Sequence, residues 1–159
     1  MTTPQPPVLR HAFTVRVEVA APLTVGRTAA GTRRVVPITG GAVTGPHGSG
    51  RVLPAGADYQ VVGTEVSWLE AKYVLELADG HLVYVDNRAM RVASAEDSRA
   101  IAQGIPVDPQ RVYFRCAPAL TADEDGPWAW LNRTVFVGTG ERDPDCVRLE
   151  IFAVPVSYT

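Results

Sequence analysis

A chain of 159 residues with 46% apolar side chains can bury a core as one domain, and it is too apolar to be disordered throughout. Lysine and arginine (15) nearly balance aspartate and glutamate (17), leaving a formal net charge of −2 with no basic run, so nucleic-acid binding has no electrostatic support. No run approaches a membrane span, and Met1 to Pro7 is polar and proline-rich, unlike a signal peptide, so a soluble cytoplasmic protein that works without a membrane is the expectation.

Two-residue alternation is the clearest signal. From Leu9, apolar residues recur at Phe13, Val15, Val17 and Val19, with Arg10, Thr14, Arg16 and Glu18 between them. That pattern predicts a half-buried strand, interrupted by Pro22. Short strands are expected at Val35–Thr39, Gly50–Leu53 and Tyr59–Val62. A hairpin follows, from Trp68–Leu77 to Leu82–Val92 across Asp79-Gly80. Asp-Gly favours a two-residue loop with positive φ at both positions. This sets a register in which Leu77 faces Leu82, Leu75 faces Tyr84 and Tyr73 faces Asp86. The Leu75/Tyr84 face is expected inward, and the face carrying Lys72, Glu76 and Asn87 outward. Ser94–Gln103 predicts a helix, with Ser94 as cap, Asp97 three residues later and Gly104 as stop. Val112–Cys116 is a further strand, and a last hairpin joins Arg133–Gly138 to Val147–Val156 through a Gly140–Asp145 turn.

Many strands with one helix predict an all-β fold, a barrel or sandwich. Long alternating strands that bend at glycines favour a single antiparallel β-barrel with one short helix. The expected organisation is a flexible N-terminal tail over residues 1–7 and one barrel domain over 8–159. The two cysteines, Cys116 and Cys146, lack zinc or redox spacing and are expected to be small buried hydrophobes on different strands. A homo-oligomer is allowed, paired subunits being a common solution.

Four stretches carry a resemblance. They are GTRRVVPITGGAVTGPHGSGRVLPAGADYQ (Gly31–Gln60), YVLELADGHLVYVDN (Tyr73–Asn87), VYFRCAP (Val112–Pro118) and WAWLNRTVFVGTG (Trp128–Gly140). In this order they resemble the bacterial and fungal family called domain of unknown function thirty-two thirty-seven, an uncharacterised-protein family. The resemblance implies a single-domain β-barrel and brings no established general activity. Where that family has a proline, a phenylalanine and an acid after its YFR segment, this chain has Pro118, Ala119, Leu120 and Thr121. The acid is absent unless Asp123 or Glu124 replaces it. Ala55 and Ala89 stand where the family has glycines.

Candidate chemistry follows from residue types on shared faces. The glycines around His47 lack the lysine and helix of a phosphate loop, and read as bends and turns, with His47 at the surface. Of the adjacent Arg33 and Arg34 at most one faces the interior, and Arg34 is favoured; it could fork onto a carboxylate, phenolate or enolate, or simply bridge a structural acid. Asp58 and Gln60 share a face, Asp58 being the candidate general base or else a cap on the Pro54–Ala57 turn. Tyr113 and Arg115 share a face, as do Trp128, Trp130 and Asn132, which together suit a wall for a planar ligand or a tryptophan plug. Asn132 can donate to an oxyanion and Tyr73 can relay a proton. The catalytic set is therefore Asp58, Tyr73, Arg115 and Asn132, with Arg34, Gln60, Tyr84, Asp86, Tyr113, Trp128 and Trp130 binding the ligand. His11, His47 and His81 are spread too widely for a metal site, and no dinucleotide fingerprint or nucleophile elbow occurs. These residues point to a cofactor-free enzyme doing acid–base chemistry on a small, partly apolar organic molecule: a cyclase, isomerase, hydratase or dehydratase, with specialised metabolism as its setting. The alternatives are a carrier with the same cavity and a plugged structural oligomer. An ionisable group facing a hollow interior separates the first from the rest.

Overall fold

The alternating segments form one antiparallel sheet of nine strands in this computed structural model, which describes residues 3–155. In chain order these are β1 (Arg10–Val19), β2 (Leu23–Thr28), β3 (Gly31–Thr44), β4 (Gly50–Val62), β5 (Val66–Leu77), β6 (Leu82–Val92), β7 (Tyr113–Ala122), β8 (Val135–Arg142) and β9 (Cys146–Val154). Helix α1 (Ala95–Ala102) lies between β6 and β7, and 3-10 turns occur at Pro109–Arg111 and Ala129–Arg133. The order β1-β9-β8-β7-β6-β5-β4-β3 returns on itself through β1–β3 pairing, so eight strands close a barrel and β2 stays outside, beside the start of β3. An all-β antiparallel barrel with one short helix is the fold the alternation predicts.

Closure depends on β3 serving two neighbours on one side. Gly31–Val35 pairs with β2 and Ile38–Thr44 with β1. The ladder shifts near Gly40 and Gly41, where the strand bends. At Gly41 φ is +141°, and a Cβ would lie 1.9 Å from the Arg16 carbonyl oxygen. A residue without a side chain is what lets β3 meet β1 there.

The two segments expected at Gly50–Leu53 and Tyr59–Val62 are one strand. The predicted Pro54–Ala57 turn is a bulge, marked by the register shift between Val52 and Gly56, so Asp58 sits mid-strand and caps nothing there. Helix α1 begins as predicted, the Ser94 hydroxyl accepting from the Asp97 N–H at 3.0 Å. The last hairpin turns over Asp143–Asp145, a tighter bend than expected, and Val156 lies outside the described residues. Cys116 and Cys146 are free and buried on β7 and β9.

The β5–β6 hairpin corrects the register by one residue. Gly80 N–H donates to Leu77 O at 2.8 Å and Leu77 N–H to His81 O at 2.9 Å, so the loop has three residues, Ala78 to Gly80. Only Gly80 takes positive φ, at +87°, as in a three-residue loop whose last position alone is left-handed, while the Asp79 carboxylate accepts from the His81 N–H. The observed partners are Leu75–Val83, Val74–Tyr84, Tyr73–Val85 and Lys72–Asp86. A slip of one residue exchanges the faces of a strand. Leu75 stays inward, Tyr84 and Asp86 turn outward, and Asn87 turns inward.

The interior divides into two halves. Phe13, Val15, Val43, Leu75, Val83, Leu120, Leu131, Phe136 and Ile151 fill one half at no more than 2% exposure. The loop carrying Trp128 to Arg133 caps this half. Trp128 packs near Phe13 and donates its indole N–H to the Asp79 carboxylate at 2.8 Å, while Trp130 lies between the His47 and Phe136 rings. The other half is where the inward positions turn polar.

Candidate functional site

The polar half is built by alternation continuing past the core. On β4, Asp58 and Gln60 point inward, opposite Val36 and Arg34 on β3 and Ala71 and Leu69 on β5. Tyr73 on β5, Asn87 and Arg91 on β6, and Arg142 at the end of β8 join them. Val17, Val19, Ile38, Phe114, Val147 and Leu149 supply an apolar wall. The space open to the centres of water-sized spheres is about 40 Å³, and all non-atomic space, mouth included, about 530 Å³. The chamber is hollow and narrow: it takes a few waters or one small polar head, since a single water needs roughly 10–15 Å³ counted this way.

Its electrostatics are set by burial. Asp58 Oδ2 accepts from Gln60 Nε2 at 2.7 Å, while Oδ1 is buried with no hydrogen-bond partner among the described residues. Burial raises the Asp58 carboxyl above the ordinary aspartate range, outweighing the Gln60 hydrogen bond, the pull of Arg91 and Arg142 and the nearby Glu70 backbone. Tyr73 is 2% exposed with an unpartnered hydroxyl, and burial pushes its ionisation further up, so it stays a proton donor. Arg91 is brought down to about 10, chiefly by burial and secondarily by Arg142. Burial also lowers Arg142 and Arg34. The Cys116 thiol is raised to about 11 by burial, which leaves it unreactive as a nucleophile.

The chamber lies at the end of the barrel that α1 follows. Arg34, 8% exposed, donates from Nη1 to the Ala102 carbonyl at 3.1 Å, tying the last turn of the helix to β3. Ile101, Val107 and Pro109 lie against Phe114 and Arg142 beside that contact.

Of the residues predicted from the sequence, Asp58, Gln60 and Tyr73 line the chamber together, and Arg34 stands beside it, paired with Gln60 across the β3–β4 ladder and tied to Ala102. The others lie elsewhere. Arg115 and Tyr113 are on the outer face of β7, the guanidinium 5.2 Å from the Tyr113 ring centroid, because Phe114 and Cys116 take the inner face. Tyr84 and Asp86 are outside through the hairpin register. Trp128, Trp130 and Asn132 belong to the capping loop, where the 3-10 turn replaces the extended alternation expected of them. Asn132 clamps the end of β7, accepting from Ala122 N–H and donating to Ala122 O, both at 2.8 Å. Glu124 pairs there with Arg133, and Leu120 is in the packed half, so neither Glu124 nor the Ala119–Thr121 segment brings an acid to the chamber. Arg115→Ala and Tyr113→Ala are accordingly expected to leave ligand binding and turnover within about twofold of wild type, checked by steady-state kinetics, as surface changes remote from a site have small effects.

Sequence reasoning missed Asn87, Arg91 and Arg142. The signal for the first two was present: Val83, Val85, Asn87, Ala89 and Arg91 alternate on one face, and a three-residue loop turns that face inward. Arg142 carried no such signal, since β8 was expected to end at Gly138.

Comparison with known proteins follows the fold closely. Residues 7–154 match the family described as Protein of unknown function (DUF3237). A UPF0311 protein of Bradyrhizobium diazoefficiens is 38% identical over 146 residues, covering 91% of this chain and 95% of the relative. The crystal structure of a conserved protein of unknown function from Rhodopseudomonas palustris superposes with a TM-score of 0.88 at 37% identity, covering 96% of this chain and all (100%) of the other. The crystal structure of an enzyme from Penicillium herquei shares the fold alone, with a TM-score of 0.68 at 18% identity, over 95% of this chain and 98% of that one.

Proposed function

We propose, from the premise that this chain belongs to the DUF3237 family, that the chamber is the active site of a cofactor-free enzyme moving a proton on a small, partly apolar organic molecule. The observation that carries the reading is the buried, unpartnered Oδ1 of Asp58 sharing an enclosed space with the unpartnered hydroxyl of Tyr73. A carboxylate with a raised pKa is a competent base toward a carbon acid, and a phenol kept neutral is a competent donor. Asp58 takes the proton from carbon, and the electron pair moves onto the substrate's carbonyl oxygen. Tyr73 donates a hydrogen bond to that oxygen, and the Arg91 and Arg142 cations stabilise the enolate. Gln60 holds the other Asp58 oxygen and so fixes the carboxylate. Reprotonation at another carbon gives isomerisation; expulsion of a leaving group gives elimination; attack by the enolate carbon gives cyclisation. An enzyme on the same fold in Penicillium herquei is compatible with this reading at the level of architecture. Cytoplasmic tailoring of specialised metabolites is the proposed setting, with which two free thiols agree.

The test is hydrogen exchange. The protein is incubated in D2O with a panel of cyclic 1,3-diketones and β,γ-unsaturated ketones, and deuterium uptake is read by mass spectrometry. Wild type is expected to accelerate uptake into at least one compound, and Tyr73→Phe to slow it by about 10²–10³-fold, the usual cost of one oxyanion donor. Binding without acceleration anywhere in the panel makes the protein a carrier.

A further inference from the structure

The chamber holds more positive charge than its own residues neutralise. Arg91 and Arg142 line it, Arg34 stands near enough to feel both Arg142 and Asp58, and Asp58 is the one carboxylate among its described lining residues. Among the described residues no ion pair within 4.0 Å includes any of these four groups. The next acids acting on Arg142 are Asp143 and Asp145, in the turn outside the barrel, and Asp143 already pairs with Arg148 at 3.2 Å. Guanidinium groups do not shed their proton to relieve such crowding. Buried charges are ordinarily paired, and an unpaired set marks a partner still to come.

The hydrogen-bond inventory describes that partner. Arg142 Nη1 and Arg34 Nε are buried donors without acceptors, as is the Tyr73 hydroxyl. Gln60 spends its amide N–H on Asp58, which leaves its Oε1, like Asp58 Oδ1 and Asn87 Oδ1, a buried acceptor without a donor. An acidic oxygen pair answers the guanidiniums, and a neighbouring O–H answers Gln60. The free space fits a head group of that size, and Val19, Phe114 and Val147 are placed to receive an apolar body. Inorganic phosphate would satisfy the charge and leave that wall uncovered.

We infer that the chamber binds a hydroxyl- or enol-bearing organic carboxylate, its carboxylate held by Arg91 and Arg142 and its apolar body against Phe114. This deepens the active-site reading, on which it rests for the choice of chamber, and it concerns recognition alone. The probes are salicylate, its neutral analogue salicylamide, and inorganic phosphate, measured by calorimetry on the intact protein. Salicylate is expected to bind at least about tenfold tighter than salicylamide or phosphate, as charge-assisted forked hydrogen bonds exceed neutral ones. Arg91→Met is expected to abolish salicylate binding and, because it removes an uncompensated buried charge, to raise the melting temperature of the ligand-free protein. Arg142→Met, nearer the mouth, carries the same expectation should Arg91→Met not fold. Equal binding of salicylate and salicylamide, no binding of salicylate, preference for phosphate, or unchanged salicylate binding in a folded arginine variant overturns the inference. Salicylate binding that persists while no panel compound exchanges deuterium overturns the catalytic reading and leaves this one standing.

Discussion

Asp58→Asn is expected to lower kcat/KM for the exchange reaction by about 10²–10⁴-fold, the range lost with a positioned general base. Asparagine keeps the shape of the side chain and its place opposite Val36 and Ala71, but it cannot take a proton from carbon. Stability should move the other way. The folded-state pKa of Asp58 is raised by burial, so its contribution to stability is full below the unfolded carboxyl value and is lost as pH rises through the folded value. Above the folded-state value the wild type therefore carries a desolvated carboxylate that the variant lacks. The melting temperature of Asp58→Asn relative to wild type should rise as pH increases through that range, and the advantage should vanish in acid. The rate profile has a matching signature. Wild-type kcat/KM climbs with pH through the raised Asp58 pKa, and that acidic limb is missing from the residual rate of the variant. A variant that loses activity with no change in the limb would remove Asp58 from the mechanism.

Gly41→Ala is expected to destabilise the protein by more than about 3 kcal/mol, the upper range for a single change at a strained backbone position. Two costs coincide there. The φ of +141° disfavours any L side chain, and the new Cβ would meet the Arg16 carbonyl at 1.9 Å. Relief requires β3 to withdraw from β1, which opens the barrel along its closing ladder. Gly80→Ala separates the two costs. Its φ is +87° with nothing within 4 Å of the added carbon, so only the backbone preference is lost, about 1–2 kcal/mol. Urea unfolding of both variants measures the difference. Equal losses would mean that the approach of β3 to β1 contributes nothing to closure.

The comparison of sequence with structure divides along physical lines. Strand identity was legible wherever one face is wet, as in Phe13 to Val19, because alternation records the two environments directly. The helix was legible through its cap at Ser94 and its stop at Gly104. Register was not, because a dipeptide such as Asp79-Gly80 serves loops of two or three residues, and the choice lies in the bonds that tie the loop to Leu77 and His81. That one-residue error moved Tyr84, Asp86 and Asn87 to the wrong faces together. The polar half of the interior was only partly readable for a related reason. An arginine in an alternating strand ordinarily marks the solvent side, and Arg91 breaks that expectation because it faces a chamber rather than a core. Trp128 and Trp130 illustrate the converse: their spacing suits a strand, yet they lie in a 3-10 loop and close the packed half.

The contrast between the two halves of the barrel bears on how such a protein can change over time. The strands themselves run on from the packed end to the chamber, through the bulges of β3 and β4, so the solid end acts as a foundation on which the positions around Val19, Arg142 and Val147 stand. Those rim positions are free to be exchanged with little threat to the scaffold. Selection can therefore retune which molecules are admitted while the folding problem stays solved, and an engineer seeking new specificities should confine a library to that rim.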